Sequence, residues 1–190
     1  MSDIFFTSDT HFSHTNTWAL FKTEDGLPLR PFTSTEEMDE FMIEQWNKTV
    51  KPSAHVYHLG DISMKRPRLV DHVLKRLNGH KRLIRGNHDI FHTKEYLEYF
   101  DEIYGIRVMD NIIFTHIPIH PTSAGRFSAN VHGHIHNPGP NLPAVVRLGH
   151  DGKFLPDMPY INITVEHTNY RPINLAEVKE LIKKALACSA

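Results

Sequence analysis

The sequence predicts a single mixed α/β domain that spans residues 1–190. Over the first half of the chain, apolar runs with strand character alternate with amphipathic helical segments, which indicates right-handed crossovers and a largely parallel sheet. Over the second half, closely spaced strands flank Asp110, which indicates a hairpin. A chain of 190 residues can bury one substantial core but is too short for two domains of ordinary size. A mixed α/β sandwich accommodates both halves.

Five short apolar and β-prone runs are the predicted strands that carry the functional residues. They cover residues 4–8, 55–59, 81–85, 111–115 and 128–132. Residues 102–109 are expected to form the hairpin with the fourth run, and residues 160–165 alternate as a later strand.

Three helices are predicted from apolar residues at helical spacing. The first covers residues 36–46 and is capped by Ser34, and the second covers residues 67–77. The third starts after Asn174 and has an apolar stripe that would pack onto a sheet. Ser34 and Asn174 each precede a glutamate by three residues, which is the spacing of a capping box. Gly79 is expected to end the second helix.

Composition narrows the classes of partner. The 21 Lys and Arg residues against 22 Asp and Glu residues leave a formal charge of −1, which argues against a nucleic-acid surface or an anionic membrane surface. The single cysteine, Cys188, cannot form an internal disulfide, in agreement with a reducing compartment. No basic N-terminal segment is present, and no stretch approaches the roughly 20 apolar residues of a membrane span. We therefore expect a cytoplasmic protein with no membrane partner.

Five polar clusters stand directly after the five predicted strands. They are Asp9-Thr10-His11, Gly60-Asp61, Gly86-Asn87-His88-Asp89, Thr115-His116 and Gly133-His134-Ile135-His136. Together they supply carboxylates, an amide and several imidazoles, the mixed oxygen and nitrogen set that binds borderline divalent metals. Because ligands of α/β sheets collect beyond the carboxyl ends of strands, we expect the clusters to meet at one place.

Local geometry suggests how these side chains could hold metals. In an extended segment residues two apart point to the same side, so Asp9 and His11 are expected to bind one ion, and the same geometry applies to His134 and His136. The carboxylate of Asp61 has two oxygens and is the candidate bridge between two cations. Glycines at the strand ends are expected to allow sharp turns.

The third cluster adds a neutral ligand and a free imidazole. Asn87 offers an amide oxygen, and the neighbouring His88 should project differently and face a substrate. Asp89 is expected to cap the following helix. Two carboxylates and a bound hydroxide carry −3 against +4 from two divalent metals, so about one positive charge remains to attract an anionic phosphate.

The ordered set of clusters from Asp9 to His136 resembles that of the calcineurin-like metallophosphoesterases, and it is most similar to their small, uncapped bacterial and phage members. Residues 160–163 and 169–172 extend the resemblance. The resemblance implies a four-layer αββα sandwich of two mixed sheets flanked by helices. The acid that follows G-D-x-x in the protein phosphatases of the family is absent after Asp61, where Lys65 stands, which argues against a protein Ser/Thr phosphatase.

The resemblance also implies roles for individual residues. One metal would be held by Asp9, His11 and His136, and the other by Asn87, His116 and His134. Asp61 would bridge the two metals, and His88 would contact the phosphate and protonate the leaving group. Arg126, in a loop, either binds a phosphate oxygen or is a solvated charge.

The predicted function is hydrolysis of a phosphodiester by in-line attack of a metal-bridging hydroxide. A nucleotide-type diester is one candidate substrate. The alternative substrate is a small phosphomonoester. Imidazole-rich ligation favours Mn, Fe, Ni, Co or Zn, and Mn is our first choice. Two rivals are a non-catalytic metal-binding interaction module and a nuclease subunit. Without a cap domain, only loops at residues 12–33, 117–130 and 137–159 can shape the pocket.

Overall fold

The computed structural model describes residues 3–136, 145–148 and 154–188. Its strands are β1 Ile4–Thr7, β2 His55–His58, β3 His80–Ile84, β4 Glu102–Tyr104, β5 Arg107–Met109, β6 Ile112–Phe114, β7 Ala129–His132, β8 Val145–Leu148, β9 Phe154–Met158, β10 Tyr160–Asn162 and β11 Ile173–Asn174. Its helices are α1 Asn16–Ala19, α2 Thr35–Thr49, α3 Asp71–Leu74, α4 Thr93–Tyr96 and α5 Leu175–Cys188. Short 3₁₀ turns cover Pro67–Val70, Pro121–Ser123 and Val165–His167.

The strands form two mixed sheets and a separate two-stranded ribbon. The first sheet has the order β11-β1-β2-β3-β4, in which β1 to β4 are parallel and β11 is antiparallel to β1. The second has the order β10-β7-β6-β5, with β10, β7 and β6 parallel and β5 antiparallel. The ribbon pairs β8 with β9. The predicted α/β class with mixed sheets is thus confirmed.

The first sheet is buried on both faces. Successive residues of β1 illustrate this, because side chains along a strand alternate between its two faces. Phe5 packs in one core cluster with Met42 and Trp46 of α2, whereas Phe6 stacks on Phe114 of the second sheet with ring centroids 4.2 Å apart. The second cluster also contains side chains of α5. Helix α2 therefore covers one face of the first sheet, and the second sheet together with side chains of α5 covers the other.

Capping explains where the two long helices start. The side chain of Ser34 accepts a hydrogen bond from the backbone N–H of Glu37, as predicted, while the Glu37 carboxylate turns to Thr33. Helix α2 runs three residues past its predicted end. At α5, Asn174 and Glu177 exchange two hydrogen bonds of 2.9 Å, so this capping box is complete.

The prediction of one continuous helix over residues 67–77 is wrong. The chain makes a 3₁₀ turn over Pro67–Val70, and Val70 leaves helical geometry with φ −118° and ψ 20° before the single turn of α3. Because a 3₁₀ turn has three residues per turn, the buried stripe shifts. Leu69 is 57% exposed, while Val73 is buried as predicted.

The predicted strand over residues 102–109 is two strands in different sheets. β4 pairs with β3 in the first sheet, and β5 pairs with β6 in the second. The chain passes between the sheets at Gly105 and Ile106. The hairpin itself is confirmed, since Asp110 and Asn111 have φ of 49° and 63°, the left-handed pair of a type I′ turn.

The proline-rich stretch over residues 137–159, predicted as a loop, contains the antiparallel strands β8 and β9. Its remaining residues, except Pro159, lie outside the described part of the chain. The later strand predicted over residues 160–165 ends at Asn162. Residues 21–33 form a loop, as expected, with one isolated bridge between Lys22 and Pro28. None of the helices in the described ranges has the length and apolar character that crossing a membrane requires.

Candidate metal centre

All five polar clusters meet beyond the carboxyl ends of the parallel strands. The backbone N–H of Asp9 donates to the carbonyl of Gly60 at 2.9 Å, and the N–H of His134 donates to the Asp9 carboxylate at 2.9 Å. The N–H of His88 donates to Asp61 Oδ1 at 2.8 Å. These bonds join loops of both sheets, so the convergence expected from the sequence is present in the structure.

The first of two candidate metal-ligand groups, called the first ligand group below, consists of Asp9, His11 and His136. Their facing atoms form a small triangle, with 3.1 Å between the Nε2 atoms of His11 and His136. Asp9 Oδ1 lies 3.4 Å from His136 Nε2 and 3.9 Å from His11 Nε2. Atoms that ligate one ion at about 2.0–2.2 Å have separations of this order.

The second ligand group consists of Asp61, His116 and His134. Asn87 belongs beside it, since Asn87 Oδ1 lies 2.8 Å from His116 Nε2. Nδ1 of His116 lies 2.8 Å from the Leu59 carbonyl and must carry the proton that it donates there. In the neutral ring Nε2 of His116 would then carry the lone pair, the arrangement typical of a metal-binding histidine.

Asp61 faces both ligand groups through one oxygen. Its Oδ2 atom lies 3.7 Å from His11 Nε2 and 3.4 Å from His116 Nε2. The other oxygen, Oδ1, is occupied by the backbone N–H of His88. Burial opposes ionisation of Asp61, but the neighbouring His116 outweighs it and lowers the pKa of the carboxyl below its usual value.

An unsatisfied buried oxygen in the first ligand group fits a bound cation. Asp9 Oδ2 is held by the hydroxyl of Ser8 and the N–H of His134, but Asp9 Oδ1 has no hydrogen-bond partner among the described residues although it is buried. Burial, with the nearby His136, holds the pKa of His11 well below its usual value, which keeps the imidazole neutral and able to ligate. The donor set is compatible with divalent metals.

The backbone of the centre departs from the extended geometry expected from the sequence. Asp9, His11, Asp61 and His134 have φ of 59°, 46°, 57° and 69°, in the left-handed region that non-glycine residues rarely adopt. Asp9 and His11 still converge, through this turning of the chain. His134 and His136 face different ligand groups, so the expectation that their spacing directs them to one ion is wrong. Such strain concentrates at functional sites.

Glycines at three strand ends permit the close approach of these loops. Gly60 has φ 96° and makes the sharp turn expected of it. Gly86 and Gly133 are required for space: a Cβ on Gly86 would collide with the Asp61 carboxylate, and one on Gly133 would collide with the Asp9 carboxylate. Both ligand carboxylates therefore lie directly against a glycine backbone.

A buried ion pair behind the first ligand group was not predicted. Glu166 Oε1 lies 3.1 Å from His136 Nδ1 and 2.7 Å from Arg30 Nε. Arg30 is fully buried and donates to the backbone carbonyls of Asp9 and Thr10 at 2.7 Å each. No sequence signal identifies the pair, because Arg30 lies in a loop and Glu166 is 136 residues further on.

The pKa values of Glu166 and its neighbour His136 are strongly shifted. Burial opposes ionisation of Glu166, but Arg30 and His136 outweigh it and lower the pKa of Glu166 to about 2. Burial likewise opposes protonation of His136, but the carboxylates of Asp9 and Glu166 raise the pKa of His136 to about 9. The pocket around His136 thus favours a cation, which a proton or a metal can supply.

The expectation that Asp89 caps the following helix is wrong. Asp89 is buried, and its carboxylate accepts from the backbone N–H groups of Asp61, Gly86 and Ile62 at 2.8, 2.9 and 3.2 Å. Burial raises the pKa of Asp89 to about 6 despite these bonds. Asp89 therefore ties the ends of β2 and β3 together, whereas α4 starts at Thr93.

His58 is a further buried residue to which no sequence motif assigned a role. Its Nδ1 accepts from the N–H of Gly60 at 3.2 Å, so Nε2 carries the proton that points at the hydroxyl of Thr10, 3.0 Å away. Thr10 in turn donates to the carbonyl of Ile62 at 3.1 Å. Burial lowers the pKa of His58 to about 4.

Two predicted substrate residues lie in different places. The side chain of His88 belongs to neither ligand group, is 41% exposed and has Nε2 3.9 Å from Asp61 Oδ2. Arg126 is exposed, and its guanidinium lies 5.7 Å above the ring of Phe127. His88 thus lies at the centre, whereas Arg126 is exposed and contacts the ring of Phe127.

The fold and the site define an α/β protein with two mixed sheets and two candidate metal-binding groups at the strand ends. No family model matches the chain. The chain belongs to the family of the uncharacterized protein MJ1445 of Methanocaldococcus jannaschii, with which it is 32% identical over 191 residues, 97% of this chain and 93% of the relative.

Two further proteins are similar to this chain. The gene 66 protein of Mycobacterium phage L5 is 34% identical over 92 residues, which cover 47% of this chain and 41% of the phage protein. The crystal structure of AQ665, a protein of unknown function from Aquifex aeolicus, superposes with a TM-score of 0.64 and 25% identity. That match covers 95% of this chain and 100% of AQ665.

Proposed function

We propose that this chain is a dinuclear-metal phosphoesterase of the calcineurin-like superfamily, which hydrolyses a phosphodiester. The observation that carries the proposal is the position of Asp61 Oδ2, which lies within 3.7 Å of a histidine from each ligand group. A carboxylate oxygen shared in this way suits two cations close together, as in two-metal hydrolases. Within this superfamily, we assign the chain to the small members that have no cap domain.

The arrangement of sheets supports the finer fold proposed, a four-layer αββα sandwich of the metallo-dependent phosphatase type. One face of the first sheet packs on α2, and the other shares a core cluster with the second sheet. The functional loops follow β1, β2 and β3 of the first sheet and β6 and β7 of the second. Both sheets thus contribute ligands, as this fold requires.

Each metal would have its own donor set. Asp9, His11 and His136 would hold one, Asn87, His116 and His134 the other, and Asp61 would be shared. Bound there, two divalent metals would activate water at neutral pH and neutralise the charge that develops on a phosphoryl group. Glu166 and Arg30 carry opposite charges, so they leave the net positive charge expected for the loaded centre unchanged.

His88 is the residue proposed to move a proton. Its backbone is anchored on Asp61, while its partly exposed imidazole is free of both ligand groups. A phosphate held at the centre would come within reach of this ring. We assign His88 two tasks: to donate a hydrogen bond to a phosphate oxygen and to protonate the leaving alkoxide.

An open site favours a diester over a monoester as substrate. His134 is exposed, and the side chain of His88 is 41% exposed, so a substituent on either side of the phosphorus can extend into solvent. A monoester of a small metabolite is the second choice. The mixed carboxylate, amide and imidazole donor set suits Mn, Fe, Ni, Co or Zn, and manganese is the metal proposed first.

A reconstitution assay tests the proposal. The metal-free chain would be loaded with Mn²⁺ and offered bis-p-nitrophenyl phosphate and p-nitrophenyl phosphate at equal concentrations. We expect faster turnover of the diester. Turnover of the monoester alone would overturn the substrate assignment, and bound metal without turnover of either ester would identify a metal-binding module.

A further inference from the structure

An open groove of about 470 Å³ lies directly beside the first ligand group. Three apolar residues, Leu20, Phe21 and Leu29, line it together with the polar residues Lys22, Thr23 and Glu24 and the candidate ligand His136. We propose that this groove binds a planar aromatic group carried by the phosphoester, so that it is the subsite for the substituent on phosphorus. The inference rests on the proposed function, because it assumes that the phosphate is held next to His136.

The exposure of apolar side chains in the groove is the first argument. Leu20 is 65% exposed and Phe21 is 46% exposed, and both face a cavity that has a ligand residue in its wall. Large apolar side chains beside convergent polar groups are typical of ligand pockets, which commonly measure about 300–1,000 Å³. A volume of this size accommodates one ring system and its attached group.

The groove is also pre-formed by its own loop. The N–H of Leu29 donates to the carbonyl of Phe21 at 2.8 Å, and the N–H of Thr23 donates to the carbonyl of Leu27 at 2.8 Å. Directly after Leu29, the buried Arg30 anchors the chain to the carbonyls of Asp9 and Thr10. The wall of the groove and the first ligand group are thus tied to one another, so little ordering is needed on binding.

Aromatic contacts connect the groove with the centre. The ring of Phe21 lies 5.9 Å from that of His14 in an edge-to-face arrangement, and His14 lies 5.7 Å from His11. Such geometries are favourable between aromatic rings. A phosphate near His136 would therefore place a ring substituent against Phe21, which favours an aromatic group over a flexible alkyl chain.

Equilibrium binding tests the inference without catalysis. Phenylphosphonate and methylphosphonate carry the same charge and have a P–C bond that phosphoester hydrolysis does not cleave. Calorimetry on the Mn²⁺-loaded chain should show phenylphosphonate bound about tenfold more tightly, the effect of burying one ring against apolar surface. The ratio should fall towards one in Leu20→Ala and in Phe21→Ala.

Leu27 provides a matched control. It is 64% exposed on the same loop but is not part of the groove lining, so Leu27→Ala should keep the tenfold ratio. Equal binding of both phosphonates to the unsubstituted chain, no binding of either, or loss of the ratio in Leu27→Ala would each overturn the inference. A lower melting temperature of Phe21→Ala with an unchanged ratio would also overturn it, by assigning the ring to packing within the chain.

The two proposals fail in different ways. If neither p-nitrophenyl ester is hydrolysed but the phosphonate ratio depends on Phe21, the catalytic proposal is wrong and the aromatic subsite stands. If the esters are hydrolysed but the ratio is insensitive to Phe21 and Leu20, the subsite is wrong and the phosphoesterase stands.

Discussion

The two ligand groups contain the same types of side chain, but different parts of the molecule hold them. Behind the first group, the charged side chains of Glu166 and Arg30 contact His136 and the backbone of Asp9. Behind the second, the backbone carbonyl of Leu59 orients His116. His136 of the first group is thus oriented by distant charged residues, and His116 of the second by the end of a strand.

Exposure differs as well. In the first group Asp9 and His11 are buried, and His136 is 25% exposed. In the second group His134 is exposed, although Asp61 and His116 are buried. We infer that a cation in the first group would be the more enclosed, and that one in the second would be more accessible to solvent and substrate. Substitutions should therefore separate the two groups, except at the residue that faces both.

Asp61→Asn should have the largest effect, because it acts on both ligand groups at once. An amide has one weakly donating oxygen in place of two charged ones, so both groups should lose affinity for metal. We expect turnover to fall roughly a thousandfold, equivalent to the several kcal/mol that metal ions contribute to catalysis. Metal content by elemental analysis, alongside turnover, is the measurement.

Asp39→Asn is the matched control for Asp61→Asn. Asp39 is also a buried carboxylate, but it accepts from Ser13 and belongs to neither group. Its metal content per folded chain should stay unchanged. Full metal occupancy in Asp61→Asn would contradict a shared ligand.

His88→Ala should rank second, since it removes a proton donor and leaves both ligand groups intact. General acid catalysis contributes about 10²–10⁴-fold, and we expect a turnover loss in that range with metal content unchanged. The loss should be greater for an alkyl ester than for a p-nitrophenyl ester, because the nitrophenolate departs without protonation. An equal loss of metal and turnover would show that His88 is a ligand or a structural residue.

Glu166→Gln should affect the first ligand group alone. A residue that orients a metal-binding histidine typically contributes 10–100-fold to metal affinity, so we expect one of the two Mn²⁺ dissociation constants to rise by that factor while the other stays unchanged. Rescue should be visible in Glu166→Asp, which retains the charge. Titration of Mn²⁺ by calorimetry distinguishes one weakened site from two.

Glu102→Gln serves as the control for the Glu166 variant. Glu102 also pairs with an arginine, Arg82 at 2.9 Å, but it lies on β4 with a side chain that is 47% exposed. Exposed pairs of this kind contribute little. If Glu102→Gln weakened metal binding as much as Glu166→Gln does, the effect would be one of overall charge and not of orientation.

The same contrast explains what could be predicted from the sequence. Ligand residues stand within a few positions of strand ends, so hydrophobic patterning located them, and the structure brings together Asp9 with His11 and Asp61 with His116. Arg30 escaped prediction because its meaning depends on a partner 136 residues away. Local sequence carries no information about such a pairing.

Errors in the fold have a related origin. The helix expected over residues 67–77 was judged by apolar spacing, but spacing does not distinguish a 3₁₀ turn from an α-helix when both bury most of the same side chains. The strand expected over residues 102–109 was continuous in pattern, yet its halves pair in different sheets. Tertiary pairing decided both cases, whereas the capping of α5 by Asn174 and Glu177 was local and was confirmed.

His58→Gln should give the smallest effect, visible in the dependence of stability on pH. Burial lowers the pKa of His58 to about 4 in the folded chain, against about 6.5 in the unfolded chain. The contribution of the neutral, buried imidazole is thus fully present above pH 6.5 and is lost as the pH falls towards 4. At pH 5.5 this loss is on the order of 1 kcal/mol.

The His58→Gln variant keeps a donor for Thr10 but cannot take up a proton, so its free energy of unfolding should decline less between pH 7 and pH 5.5. Urea titrations of the metal-free protein at both pH values give the difference. Because His58 supports Thr10, which lies between two ligands of the first group, this measurement also tests how that loop is held without metal. A decline equal to that of the unsubstituted chain would mean that His58 is protonated in the folded state or exposed.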